Sequence, residues 1–175
     1  MPKYQSQRTV LPIDDDRLQT CRHGMIAAEH GQVRAIDVRR FGRSASWLGI
    51  ALVGSRLHRR AQGDRCYVYF TQPRSCPDYL SLTYVWSSGD CSLSTLRAAM
   101  AALDQVAEIK RSQAIVCDVW NWRISDRLLR RAGWEAHCPM RWHRNHIKRF
   151  YGRYPKIAVL SDCELSMSDV PAIAN

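Results

Sequence analysis

The spacing of apolar positions is clearest in the second half of the chain. Over Leu93–Arg111, the residues Leu93, Leu96, Met100, Leu103 and Ala107 recur at intervals of three and four. That stripe predicts a long amphipathic helix. Asp90 or Ser92 stands where a cap belongs, and Lys110 and Arg111 suit the negative end of the helix dipole. Before it, Tyr79–Trp86 alternates: Leu80, Leu82, Tyr84 and Trp86 fall on one face, Ser81 and Thr83 on the other, as in a strand. After it, Ala114–Val119 is short and almost wholly apolar, the pattern of a strand buried on both faces. A second, shorter helix follows, with Asn121 as its cap and Ile124, Leu128, Leu129 and Ala132 facing inward. Gly133 takes the left-handed position that ends it. Asn145–Tyr151 and Lys156–Leu160 read as final strands.

The first half is less regular. Asp14–His30 reads as a helix, because three aspartates open it and Leu18, Cys21 and Met25 share a face; Gly31 ends it. Val33–Val38 reads as a strand, Gly42–Ser46 as a turn, Trp47–Val53 as a buried strand, Arg56–Asp64 as a basic loop and Cys66–Phe70 as a strand. Two strands joined by a helix as long as Leu93–Arg111 lie parallel with a right-handed crossover. The class is α/β or α+β with one mixed sheet. The 175 residues form a single domain, with loose termini at 1–12 and 161–175.

Charge narrows the partners. The net charge is +10, which favours an anionic partner: a phosphorylated cofactor, a nucleic acid or an acidic surface. It is concentrated between Asn121 and Tyr154, where nine Arg or Lys residues face two acids. The longest uncharged apolar stretch, Trp47–Gly54, is far shorter than a membrane span, and the first ten residues lack the apolar core of a secretory signal. Seven cysteines without CxxC spacing read as reduced, mostly buried thiols in a cytoplasmic protein.

The order strand, turn, long helix, strand, Asn121, short helix, Gly133-Trp134 resembles the C-terminal half of the GCN5-related N-acetyltransferase (GNAT) family over about Tyr79 to Tyr151. Ser125 and Leu128 stand at the small and leucine positions of that family's short helix. The resemblance implies a mixed sheet whose two central parallel strands, here Tyr79–Trp86 and Ala114–Val119, splay apart to admit the pantetheine arm of acetyl-CoA or another acyl-CoA. It implies a pyrophosphate on the N-terminus of the long helix, where free N–H groups and the dipole attract anions. The residues it marks for cofactor binding are Trp86, Ser87, Gly89, Ser92, Ser94, Thr95 and Asn121. The reaction implied is transfer of an acetyl group to an amine by direct attack. The chain departs from the family pattern in three places. Its phosphate loop has one glycine, Gly89, and an acid, Asp90. Asn121 is one residue further from Gly133 than usual. Leu129 occupies the position where the family often has a tyrosine as general acid. Arg56, Arg59 or Arg97 could offset the charge of Asp90.

Direct attack needs a base for the amine. Asp118, an acid at the end of an apolar strand, and Glu135, just past the short helix, are the candidates; the plainer reading of Asp118 is a buried carboxylate bonded to an Arg or an amide. Cys117 has no histidine near it in sequence to make it a nucleophile. His137, Cys138, His143 and His146 follow no zinc-module spacing, so no metal is expected. Arg141, Arg144, Lys148, Arg149 and Arg153 interleave with Trp142, Phe150, Tyr151 and Tyr154, a composition that also suits a single-stranded nucleic-acid surface. Trp86, Trp120 and Trp122 could line an acyl channel or plug a cleft. Two other readings therefore fit the same residues: a basic nucleic-acid-binding protein, and a non-catalytic interaction module on the same fold.

Overall fold

The computed structural model describes residues 15–39, 63–119, 125–138 and 144–155. The expected strands at 47–53 and 156–160, the turn at 42–46, both termini, and Arg56, Arg59, Trp120, Asn121, Trp122, Arg141, Trp142 and His143 lie outside the described residues.

The described elements run α1 (Asp15–Thr20), β1 (His23–Glu29), β2 (Gln32–Arg39), β3 (Arg65–Thr71), β4 (Tyr79–Ser87), α2 (Leu93–Ile109), β5 (Ala114–Asp118), α3 (Asp126–Arg131), β6 (Glu135–Ala136) and β7 (Asn145–Arg149). Their seven strands form one mixed sheet in the order β2-β1-β3-β4-β5-β7-β6. β4 and β5 pair in parallel through the α2 crossover, and every other pairing is antiparallel. No helix among the described residues is long and apolar enough to cross a membrane.

The helix expected at 14–30 is instead the one-and-a-half-turn α1 followed by strand β1. From His23 to Glu29 every second residue is buried: Gly24, Ile26 and Ala28. The letters Gly-Met-Ile-Ala-Ala carry no polar residue to separate a period of two from one of 3.6, and β1 gains two neighbours by pairing with both β2 and β3.

α2 is the helix the stripe predicts. Ser92 caps it with extended backbone, and its hydroxyl accepts from the Thr95 amide at 3.1 Å. The helix lies over β1, β2 and β3. Ala99, Ala102, Leu103, Val106 and Ala107 are buried there against Ile26, Ala28, Val68 and Phe70. The small residues on the helix let it sit close to the sheet, and Phe70, 1% exposed, fills the space beside Gly24. Lys110, the C-cap, donates to the carbonyls of Cys21 and Gln19 and to Gln72 Oε1, so one ammonium ties α2 to the end of α1 and to the β3–β4 connection.

α3 differs from expectation in two ways. Its cap is Ser125, whose hydroxyl accepts from the Leu128 amide at 3.2 Å, not Asn121. Ile124 lies outside the described residues; of the other expected inward residues only Leu129 packs on the core, while Leu128 is 41% exposed and Ala132 is exposed, because a helix this short presents a single position to the sheet. The end behaves as expected. Gly133 has φ +83°, its amide donates to Arg130 O at 3.0 Å, and the Trp134 amide donates to Leu129 O at 3.0 Å. This pair of bonds turns the chain back so that Trp134, 5% exposed, enters the core.

Candidate functional site

The parallel pairing of β4 and β5 is short. Tyr79 faces Ala114, Leu80 faces Ile115, Ser81 faces Val116 and Leu82 faces Cys117, and there it stops. β4 runs on to Ser87 alongside β3, while β5 runs on to Asp118 alongside β7, with Cys117 opposite His146 and Asp118 opposite Asn145. The two central strands thus form a fork that opens beyond Leu82 and Cys117.

A bulge accounts for the opening. Phe70 pairs with Leu82 and Tyr69 with Tyr84, so Thr83 is an extra residue in β4. A bulge bends its strand and increases the local twist. Thr83 is the residue immediately after the last β4 partner of β5, so the bend begins where the pairing ends. The extra residue also corrects the expected strand pattern. Leu80 and Leu82 face α2, as do Val85 and Ser87 opposite Val68 and Cys66. Tyr84 and Trp86 are turned to the other face of the sheet. There Trp86 stacks on Tyr67 with ring centroids 5.1 Å apart, and Tyr84 lies 6.0 Å from Tyr69. Burial, then the neighbouring Tyr69, pushes the Tyr84 phenol above its ordinary value.

The loop from Ser87 to Ser92 carries the chain from the fork to the start of α2. Ser88, 5% exposed, anchors it: its hydroxyl donates to Gly63 O and accepts from the Arg65 amide at 3.1 Å, and its amide donates to Arg65 O at 3.0 Å. Gly89 and Asp90 form the exposed tip. At the helix start, Asp64 Oδ1 accepts from the Ser92 amide at 2.8 Å and Oδ2 accepts from the Ser92 hydroxyl at 2.7 Å. These bonds hold the Asp64 carboxyl below its ordinary value, the Ser92 hydroxyl contributing most. Thr95 is fully buried; its hydroxyl accepts from the Gly31 amide at 2.7 Å and lies 3.0 Å from the Ser92 hydroxyl oxygen, whose proton goes to Asp64. Ser94 is exposed, with its hydroxyl 2.8 Å from that of Ser92. Leu93 and Ser94 carry the next two amides of the first turn, which have no partner within a helix.

Of the residues marked for a cofactor, Trp86 and Ser87 lie on the β4 arm of the fork, and Gly89, Ser92 and Ser94 lie on the loop and first turn of α2. Thr95 is committed to the interior, and Asn121 is outside the described residues. Asp118 ends β5 one residue past the last pair with β4. It is exposed, not the buried carboxylate that the apolar strand suggested. Glu135 is elsewhere. It lies on the edge strand β6, separated from the fork by β7 and β5, and its carboxylate takes a 2.6 Å bond from Arg149. Asp64 is the residue that sequence reasoning missed. It sits in a loop 28 residues before its partner Ser92, and no local pattern links the two.

The basic stretch is not one free stripe. Arg144 pairs with Asp126, Lys148 with Asp104 at 2.6 Å and Arg149 with Glu135 at 2.6 Å. The side chains of Arg144 and Lys148 are only 17% and 14% exposed. Arg153 is exposed on the turn after β7. Among the described residues no cluster of three or more His, Cys, Asp or Glu side chains is placed to hold a metal ion.

No family model matches the chain, and no curated protein matches it. Among solved structures it is similar to a chain from Desulfovibrio desulfuricans, solved at 1.85 Å and provisionally assigned as an acetyltransferase of the GNAT family. The two share 15% identity over 82% of this chain and 95% of that one, with a TM-score of 0.44.

Proposed function

We propose that the chain binds the pantetheine arm of an acyl-CoA in the fork between β4 and β5 and transfers the acyl group to an amine. The observation that carries this reading is that β4–β5 pairing ends at Leu82 and Cys117 while β4 continues to Ser87. An extended chain rich in amides fits such a gap, because a strand edge presents donors and acceptors at strand spacing.

The described residues fit the arm better than they fit the phosphates. Beyond Leu82 the inner edge of β4 faces the fork, and Leu82 and Cys117 form its floor. At the phosphate end Leu93 and Ser94 offer amides, but Asp64 already holds Ser92. An acyl-CoA supplies an activated thioester carbonyl. The chain's own contribution would be to orient the arm along β4, to keep water from its inner side with Leu82 and Cys117, and to take the amine proton at the Asp118 carboxylate. Leu129, packed on the core, supplies no acid for the leaving thiolate. A protein that binds the arm and catalyses slowly or not at all is favoured by that leucine.

The test is calorimetric titration of the full chain with acetyl-CoA, followed by a thiol-release assay with a panel of amines. Saturable binding at up to millimolar ligand with amine-dependent thiol release supports the transferase. Binding without release identifies a binding module. No heat with either acetyl-CoA or acetylated pantetheine overturns the acyl-CoA reading. A fall in affinity for single-stranded oligonucleotides on raising salt would point to a nucleic-acid partner instead.

A further inference from the structure

We propose that the Asp64 carboxylate is an internal occupant of the anion-binding end of α2, so that a ligand phosphate must displace it to bind there. The inference rests on the acyl-CoA reading of the fork and says how that site is restrained.

The start of a long helix attracts anions through its free N–H groups and its dipole. Here the anion already present is part of the chain. Asp64 uses both carboxylate oxygens on one residue, taking the Ser92 amide at 2.8 Å and the Ser92 hydroxyl at 2.7 Å. It is held there from three sides. The carbonyl of Asp64 accepts from the His30 amide at 3.1 Å, at the tip of the β1–β2 hairpin. Its neighbours Gly63 and Arg65 are fixed by the Ser88 hydroxyl on the loop that leads to α2. The hairpin tip is itself bonded to the first turn of the helix, through the Gly31 amide and the Thr95 hydroxyl at 2.7 Å. The carboxylate is thus delivered to the helix by a braced turn, where it bonds the cap residue Ser92 and also interacts with the Thr95 hydroxyl of the first turn. A phosphate approaching the Leu93 and Ser94 amides meets a fixed like charge one residue away, and like charges at such separation repel. Swinging the 63–65 turn aside breaks the two Ser92 bonds and opens the helix end.

This arrangement separates the two ends of the ligand. On this reading the fork takes the arm, whereas the helix end discriminates against the phosphates. CoA and pantetheine, which lacks the pyrophosphate, therefore report on different contacts.

The experiment is calorimetric titration of the full-length wild-type chain, Asp64→Asn and Asp64→Ser with CoA and with pantetheine, each variant's fold being checked by thermal melting. Both substitutions keep a hydrogen-bonding side chain beside Ser92 and remove the charge; if one does not fold, the other carries the comparison. The expected result is that pantetheine binds all three alike while CoA binds the neutral variants at least about tenfold more tightly than wild type, roughly 1.4 kcal/mol. Equal CoA affinity in wild type and variants, with pantetheine still bound, overturns the role of Asp64 and leaves the fork reading in place. Binding of neither ligand to any of the proteins overturns both.

Discussion

Lys148 Nζ on β7 lies 2.6 Å from Asp104 Oδ2 of α2, a largely buried ion pair that ties the long helix to β7 at the level of Ile115, where β4 and β5 are still paired. The helix otherwise rests on β1, β2 and β3. Among the described residues, β5 and β7 are otherwise attached to the first four strands by the four-residue pairing of β4 with β5 and by shared core side chains. The ion pair therefore braces the closed end of the fork.

Removing one partner should be costly. Lys148→Met leaves Asp104 charged and 7% exposed without its cation, a change expected to cost about 3–5 kcal/mol. Adding Asp104→Leu should restore most of that loss, since an apolar pair avoids desolvating two charges. The pH dependence has a definite sign. Burial raises the Asp104 carboxyl above 3.8, outweighing the opposing effect of Lys148, so the folded state holds its proton more tightly than the unfolded state. The stability this contributes is present below the unfolded value and is lost as pH rises through the folded one. Lys148→Met removes the cation that favours ionisation, so its deficit should be larger at neutral pH than near about pH 4, as urea midpoints at the two pH values would show. An equal deficit at both would mean that the loss comes from packing of the lysine stem.

Gly24 should tolerate no side chain. A Cβ there would stand 2.3 Å from Phe70 Cζ and 2.7 Å from Cε1. Phe70 is the largest of the fully buried side chains and lies directly across the β1–β3 ladder from Gly24. The ring cannot retreat, because Leu103 and Val106 of α2 are buried in the same cluster. Gly24→Ala is expected to destabilise by about 1–3 kcal/mol through overpacking, read as a lower urea midpoint at unchanged slope. Gly24→Ala combined with Phe70→Leu should recover part of the loss; no recovery would place the strain in the backbone instead of the ring.

How far these features could be read from sequence depends on the range of the interaction behind them. α2 was legible because its stripe, its Ser92 cap and its basic end are all local. The parallel β4–β5 pair followed from the length of the crossover, and Gly133-Trp134 from the chemistry of a helix end. Gly24 falls inside an apparent helical pattern because what it accommodates, Phe70, is 46 residues away. The bulge at Thr83 is hidden by the alternation Leu-Ser-Leu-Thr-Tyr; the apolar Val85 at an expected polar position is the local sign, and the partner strand shows that one residue is extra. Asn121 looked like the better cap because it precedes the whole apolar pattern, yet Ser125 lies where the first turn forms. Glu135 was near the fork in sequence but is two strands away in the sheet. Asp64 has no local signature, because its partner is reached only through the hairpin and loop that brace it.

Thiol reactivity offers a direct readout of the fork. Among the described cysteines, Cys76 and Cys138 are exposed, Cys21 and Cys66 are buried, and Cys91 and Cys117 are half-buried. Burial pushes the Cys66 thiol up to about 12, with Cys91 beside it adding to the rise. Burial also pushes Cys117 up to about 12, and the neighbouring Asp118 reinforces it. Since alkylation proceeds through the thiolate, near about pH 8 only about one molecule in ten thousand would present either group in reactive form. Brief treatment of the folded protein with iodoacetamide should therefore modify Cys76 and Cys138 and leave Cys66 and Cys117 unmodified, whereas all should react in urea; peptide mass spectrometry distinguishes them. Cys117 is the informative position, because it is the last β5 residue paired with β4. If it reacted as fast as Cys76, the strands would have to separate further down than Leu82, and the floor of the fork would be open to water. Slow reaction of Cys117 that becomes slower still with pantetheine present would mark the fork as closed at its base and occupied by the arm.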